Sequence, residues 1–113
     1  MNSIRREFIL YLEDMFLSMQ RIEEYISNLD FNKFKMNYMV VDAVVRNFEI
    51  IGEASLRIDE DFRLENPQIE WKKLRGFRNR IVHDYFGIDY EIVWSILSED
   101  LEELIFQLEQ LLN

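Results

Sequence analysis

Apolar residues along this chain recur at intervals of three and four, the spacing that forms one apolar stripe along an α-helix. The first stripe runs from Ile4 to Leu29 and predicts one long helix. A polar break at residues 30–35 separates it from a second stripe, which runs from Val41 to about Ile58. The pattern therefore predicts two amphipathic helices in the first half of the chain.

Two further helices are predicted in the second half. A charged segment at residues 59–67 ends in an Asn-Pro pair, and proline is favoured in the first turn of a helix, so a third helix is expected to begin at Pro67 and to continue until Gly87. Asp89 is suited to cap a fourth helix, whose apolar stripe extends to Leu112. No segment shows the pattern of a strand. We predict an all-α fold, an antiparallel helical bundle of four main helices with room for one short additional helix.

Length and composition predict one domain over residues 1–113, since 113 residues with 49% hydrophobic content suffice for one core. The chain has no cysteine, which excludes disulfides and thiolate chemistry and fits a reducing compartment, so we expect a cytoplasmic protein. Acidic residues interrupt the apolar pattern near the N-terminus, which argues against a signal peptide or a membrane span.

The net charge of −9 argues against general binding to nucleic acids, but the basic residues are unevenly distributed. Residues 72–83 contain no acid and hold five of the 13 lysines and arginines: Lys72, Lys73, Arg75, Arg78 and Arg80. Such a local positive surface favours a short or structured RNA. A solvated helix face is the ordinary alternative for Lys72, Lys73, Arg75 and Arg80.

The candidate chemistry lies in residues 78–85, where the only histidine, His83, stands near Arg78. An imidazole that exchanges a proton near neutral pH, beside a permanent guanidinium charge, suits reactions at a phosphodiester. On a regular helix Asn79 and His83 would be about 40° apart, whereas Arg78 and His83 would be about 140° apart. Either the helix deforms or a symmetric dimer brings the two groups together, and we favour the dimer. A histidine that only interacts with a helix C-terminus is the simpler alternative.

The motif Arg78-x4-His83-x-Tyr85 resembles the Arg-x4–6-His motif of HEPN ribonucleases in the form found in HepT-type toxins. Further segments resemble the same family, so that the resemblance covers about residues 36–110. These segments are Asp42-Ala43, Arg46, Glu49, Ile51-Gly52-Glu53-Ala54, Pro67-Gln68-Ile69-Glu70-Trp71 and Val93-Trp94.

The resemblance implies a metal-independent ribonuclease without a cofactor, with tRNA as one candidate substrate. It also implies a homodimer, with Arg78 and His83 as catalytic residues and Asn79 and Tyr85 in support. The partner would be an MntA-type nucleotidyltransferase antitoxin, which adenylylates Tyr85 in a type VII-like toxin–antitoxin system. An adenylate at this position would block the groove and add negative charge where a phosphate should bind.

Other residues have two interpretations. Arg46, Glu49 and Glu53 fit a surface ion-pair ladder on the second helix, or a buried polar patch in which Arg46 supports RNA or Tyr85. Trp71, Phe77 and Trp94 are expected in the core rather than as a stacking platform for bases. Pairs of acidic residues are expected on solvated faces and loops, so we predict no metal site.

Two other functions remain open. Related helical bundles act as scaffold subunits of minimal nucleotidyltransferases, in which the same cluster would bind a nucleotide or a partner without cleaving RNA. A purely structural oligomeric bundle is the third alternative, and it predicts that neither Arg78 nor His83 matters for growth or for partner binding.

Overall fold

The computed structural model describes residues 3–83 and 87–113, with side chains described for residues 6–77, 79–81 and 87–113. The described chain is almost entirely helical, which confirms the predicted all-α fold. In chain order its elements are α1 (Ser3–Ile26), α2 (Phe31–Met36), α3 (Tyr38–Leu56), α4 (Glu60–Glu65), α5 (Trp71–Ile81), β1 (Val82–His83), β2 (Gly87–Ile88), α6 (Tyr90–Glu99) and α7 (Leu101–Leu112).

The bundle is built around α3, which packs between α1 and α5, while α7 packs against α1. The rings of Phe48 in α3 and Phe77 in α5 have centroids 4.8 Å apart. One turn further along α3, a Cβ on Gly52 would lie 3.7 Å from the carbonyl oxygen of Leu74. Since residue numbers rise along α3 as they fall along α5, the two helices are antiparallel, and Gly52 marks where their backbones approach closely.

One cluster of buried apolar side chains holds these helices together. Every long helix contributes side chains that are at most 1% exposed: Leu12, Met15, Met19 and Ile22 from α1, Val44, Phe48 and Ile51 from α3, Leu74, Phe77 and Ile81 from α5, Ile96 from α6, and Leu104 and Leu108 from α7. The spacing of these residues along each helix matches the predicted apolar stripes.

The single domain over residues 1–113 stays a prediction. Among the described residues, no helix combines the length and the apolar character that a bilayer crossing requires.

The predicted polar break at residues 30–35 holds a short helix, α2. Asp30 caps it, because its side chain accepts a hydrogen bond from the backbone N–H of Lys33 at 2.8 Å. Phe34 is fully buried and packs against Trp94, with ring centroids 5.3 Å apart. A cap and one buried ring are therefore enough to order six residues that have no extended apolar stripe.

The predicted start of the third helix at Pro67 is wrong, since α5 begins at Trp71. The charged segment before it contains the short helix α4, which Asp59 caps by accepting a hydrogen bond from Phe62 N–H at 2.8 Å. Residues 66–70 form a connection whose carbonyl at Asn66 accepts hydrogen bonds from the backbone of Ile69 and from the indole Nε1 of Trp71. These bonds order the turn without continuing it into a helix.

The third helix also ends earlier than predicted, at Ile81 rather than near Gly87. Val82 and His83 form β1, which pairs antiparallel with β2, so the expectation that no segment is a strand is wrong here. Gly87 has a φ of 76°, a conformation that side chains disfavour. The backbone N–H of Asp89 donates to the carbonyl of Ile81 at 3.0 Å and closes the base of this hairpin.

The predicted fourth helix consists of two helices, α6 and α7, which meet at Asp100. The predicted cap is confirmed, because the side chain of Asp89 accepts a hydrogen bond from Ile92 N–H at 3.0 Å. The N–H of Asp100 donates to Ile96, and its carbonyl accepts from Leu104, so the backbone passes between the helices without a loop.

Candidate active site

One side of α5, the helix that leads into the candidate catalytic motif, packs against the core. Leu74, Phe77 and Ile81 in α5 are essentially unexposed, so this helix cannot rotate or slide without losing buried apolar area. Arg78 and Asn79 occupy the last turn of α5, and His83 follows in β1. The motif therefore spans a change from helix to strand.

That change corrects the geometry expected from the sequence. The angles of about 40° and 140° hold only for a continuous helix, and His83 lies two residues beyond the end of α5. The backbone of His83 instead pairs with Gly87 in the hairpin. The side chains of Arg78 and His83, and all of Tyr85, lie outside the described residues, so their roles stay predictions.

Asn79 is exposed and lines a groove of about 370 Å³ between α3 and α5. Arg75 lies one turn earlier on the same side of α5, and Glu49 and Glu53 line the opposite wall from α3. Gly52 also lines the groove, at the point where the backbones of α3 and α5 approach closely. It can accept a polar ligand beside the end of α5 that precedes His83.

A second groove, of about 680 Å³, adjoins the first through Arg75 and Leu56. Lys72 and Arg63 add two more basic side chains to its walls, and Glu60 is its one acidic lining residue. The two grooves together form a path along α5. Basic residues outnumber acidic ones in the part of this path that Lys72 lines.

The basic run divides between two sides of α5, because consecutive residues on a helix point about 100° apart. Lys73 donates a hydrogen bond from Nζ to Asp100 Oδ1 at 3.1 Å and lies 3.5 Å from Glu70. Arg80 Nη1 lies 3.9 Å from the other carboxylate oxygen of Asp100. The hydrogen bond to Asp100 raises the pKa of Lys73 above its ordinary value of 10.5. Two of the five predicted RNA-binding cations thus face an acid at the junction of α6 and α7.

Arg46, Glu49 and Glu53 are exposed, so the interpretation as a buried polar patch is wrong for the isolated chain. The ion-pair ladder is also not formed, because no pair within 4 Å joins these three residues in the described part of the chain. With Tyr11 and Asp14 of α1 they line a third groove, of about 460 Å³. Glu49 and Glu53 stand between this groove and the one that Asn79 lines.

The aromatic residues occupy the positions predicted for them. Phe77 is fully buried, and Trp71 is 8% exposed and donates its indole N–H to Asn66. Trp94 is half-buried against Phe34. All three pack in or against the core, which confirms the predicted packing.

Within the part of the chain whose side chains are described, no three acidic or histidine side chains cluster in a way that would hold a metal ion. The metal-free reaction itself stays a prediction. Asp100 is the residue near the site that sequence reasoning missed, because its position beside Lys73 depends on the packing of α5 against the junction of α6 and α7.

Comparison with known proteins identifies relatives along almost the whole chain. The sequence model of the family described as ribonuclease HepT-like matches residues 15–111. A Methanocaldococcus jannaschii protein named "Putative RNase MJ1380" is 40% identical over 105 residues, covering 93% of this chain and 96% of that protein. A Thermococcus cleftensis protein named "Probable ribonuclease HepT" is 37% identical over 101 residues, covering 89% of this chain and 92% of that protein.

A solved structure has the same fold. It is a HEPN toxin of Shewanella oneidensis, described as tri-AMPylated and in complex with an MNT antitoxin. It superposes with a TM-score of 0.67, covers 98% of both chains and is 22% identical in sequence. At this identity the likeness concerns the helical architecture.

Proposed function

Because this chain belongs to the HepT-like ribonuclease family, we propose that it cleaves RNA with Arg78 and His83 as its catalytic residues. The observation that carries the proposal is the open groove beside Asn79, at the end of α5 where the motif begins. The groove gives an RNA strand access to the segment that contains Arg78 and His83. His83 is the proton-transfer group, and Arg78 is the permanent cation. Lys72 and Arg75 supply further positive charge along the same path.

The reaction requires three actions that these residue types can perform. The ribose 2′-hydroxyl loses its proton as it attacks the phosphorus, the phosphorane carries extra negative charge, and the 5′-oxygen gains a proton as it leaves. His83 transfers protons, since an imidazole titrates near neutral pH. Arg78 clamps the phosphate oxygens, because its guanidinium stays charged and donates in a fixed fork. The expected products carry a 2′,3′-cyclic phosphate and a 5′-hydroxyl, and the reaction needs no metal ion.

The active site is composed from both subunits of a homodimer. The end of α5 at Ile81 leaves Arg78 on a helix and His83 on a strand. A two-fold axis near this end of α5 gives Arg78 of one protomer access to His83 of the other. Asn79 orients the imidazole or the substrate, and Tyr85 contacts RNA by hydrogen bonding or by stacking on a base.

The protein is the toxin of a toxin–antitoxin pair whose antitoxin is an MntA-type nucleotidyltransferase. Support comes from the fold shared with the AMPylated Shewanella toxin and from the match of Tyr85 to the family motif. Adenylylation of Tyr85 adds a nucleotide and its negative phosphate to the motif that is proposed to bind RNA. It therefore competes with the RNA phosphate both sterically and electrostatically.

The nuclease proposal is tested by incubating purified protein with total tRNA in the presence of EDTA. We expect cleavage by the wild type and its loss in Arg78→Ala and His83→Ala, with Arg21→Ala, an exposed residue of α1, as the matched control. Circular dichroism verifies that each variant is folded. Inactivity of the unmodified wild type toward tRNA and toward total RNA would contradict the proposal and favour a scaffold subunit.

The antitoxin proposal is tested by mass spectrometry after co-expression with a nucleotidyltransferase encoded beside this chain. We expect a mass increase of one or more adenylates on the peptide that contains Tyr85, with loss of RNA cleavage. Tyr85→Phe should prevent both the modification and the inhibition. Modification of Tyr90 instead, or of no tyrosine, would refute the switch and leave the nuclease proposal intact.

A further inference from the structure

The outward side of α3 carries a row of charges of alternating sign. Asp42, Arg46, Glu53 and Arg57 are all exposed, and Ile50 lies half-buried at the middle of the row. They are separated by four, seven and four residues, so their side chains point in nearly the same direction on a helix with about 3.6 residues per turn. We call these four residues the α3 charge row.

The charges of this row have no ion-pair partner in the described part of their own chain. Asp42 and Arg46 are four residues apart, as are Glu53 and Arg57, which is the spacing of ion pairs within a helix. The ion pairs within 4 Å among the described residues lie instead around α5 and Asp100. The row is therefore available for a partner with a complementary sequence of charges.

The row is complementary to itself when one copy is reversed. Its signs run negative, positive, negative, positive along α3, and the reversed copy has the opposite sign at every level. We propose that α3 packs antiparallel against α3 of a second copy of this chain, with the two-fold axis between the levels of Glu49 and Ile50. Arg46 then lies level with the partner's Glu53, and Arg57 with the partner's Asp42. The inference rests on the composite site proposed above and names the surface that assembles it.

An apolar residue fits the same arrangement, because Ile50, which is half-buried in the isolated chain, lies next to the axis. A parallel pairing about a two-fold axis would bring each residue level with its own copy and so oppose like charges throughout the row. The charge sequence therefore favours the antiparallel arrangement.

The antiparallel arrangement also joins the two candidate sites. A two-fold axis that lies in the interface and crosses α3 at a right angle keeps both copies of α5 on the same side of the paired α3 helices. The contacts Phe48–Phe77 and Gly52–Leu74 set Asn79 about level with Arg46, roughly 5 Å along the helix from the axis. The grooves that Asn79 lines in the two protomers thus meet at the axis.

Glu49 is the one charged residue of α3 that this geometry brings near its own copy. It lies on the side of α3 that faces the groove, together with Arg75. The arginines of both α5 helices offset the repulsion between the two carboxylates, since opposite charges surround them in the merged groove. The interface therefore needs the basic residues of α5 as well as the α3 charge row.

Charge reversal tests the register directly by sedimentation velocity. Arg46→Glu and Glu53→Arg each create two like-charge pairs per dimer, and we expect the dimer dissociation constant to rise at least about tenfold in each variant. The molecular mass of each variant in solution should fall from that of a dimer of two 13.9 kDa chains toward that of a single chain. An equimolar mixture of the two variants should form a heterodimer, because every reversed charge then meets an opposite one. The double variant Arg46→Glu/Glu53→Arg should dimerise with itself for the same reason.

Matched controls are Arg21→Glu in α1 and Glu102→Arg in α7, which reverse exposed charges outside the row and should leave the dimer intact. The inference is overturned if the wild type is monomeric, if both reversals in α3 leave the dissociation constant unchanged, or if mixing does not restore the dimer. RNA cleavage separates this outcome from failure of the proposed function. A wild type that is dimeric and active but insensitive to the reversals refutes only the register, whereas cleavage by Arg78→Ala and His83→Ala refutes only the function.

Discussion

Replacing Phe77 with alanine is expected to destabilise the protein strongly, because this ring fixes α5 against α3. The side chain is 0% exposed, and its ring centroid lies 4.8 Å from that of Phe48. Truncation of a buried phenylalanine costs about 3 to 5 kcal/mol through lost burial and the cavity left behind. For 113 residues the entropy of unfolding is roughly 0.24 kcal/mol per kelvin, so the expected fall in Tm is about 13 to 21 °C.

Thermal and urea unfolding followed by circular dichroism measure this loss. The matched control is Phe106→Ala in α7, the same chemical change at a ring that is 55% exposed, where a shift below about 5 °C is expected because little area is buried. Phe77→Leu should fall between the two, since it keeps most of the apolar volume. Equal shifts for Phe77→Ala and Phe106→Ala would refute the claim that α5 is anchored through this ring.

Three further results are expected. Lys73→Met should lower stability by less than about 1 kcal/mol, since the pair with Asp100 is partly exposed. Because the folded pKa of Lys73 is raised, the difference from wild type should be constant from neutral pH up to pH 10.5 and shrink as pH rises through the raised pKa, which urea unfolding at several pH values checks. Lys72→Met should leave stability unchanged but weaken RNA binding in a filter assay, whereas Lys73→Met should affect RNA binding less. Gly87→Ala should cost about 1 to 2 kcal/mol because of its positive φ, whereas Gly76→Ala in α5, where a methyl group would meet no atom within 4 Å, should stabilise by about 0.5 to 1 kcal/mol in thermal unfolding.

The long helices were predictable because their stability comes from a continuous apolar stripe. Met15, Met19 and Ile22 recur at the helical period and are buried in α1. The short helices α2 and α4 have no such stripe, and the side chains of Asp30 and Asp59 order them through single capping bonds. Capping hydrogen bonds determine whether segments of only six residues form a helix. The apolar periodicity of the sequence does not reveal these bonds.

The end of the third helix was not predictable from its own pattern. Ile81 and Val82 continue the apolar spacing, so the sequence alone favours more helix. The chain instead turns into a hairpin, which the positive φ of Gly87 permits and the bond from Asp89 to Ile81 closes. That bond joins residues eight positions apart, which is outside the range of a helical repeat.

The candidate site was predictable in its residue types but not in its surroundings. The basic run was evident from the sequence, yet its division between two sides of α5 depends on Asp100, which lies 27 residues beyond Lys73. Likewise, the exposure of Arg46 and Glu53 could not be predicted from the sequence, because it depends on how α3 packs between α1 and α5. Both features depend on contacts between residues that are far apart in the sequence.

Complementation between two inactive variants tests the composite active site most directly. When Arg78→Ala and His83→Ala proteins are co-expressed in equal amounts, each heterodimer contains one site with an intact arginine from one protomer and an intact histidine from the other. Random assortment makes half of the dimers mixed, so the account predicts recovery of about a quarter of the wild-type rate of RNA cleavage. A mixture of confirmed heterodimers that remains as inactive as either variant alone would contradict it.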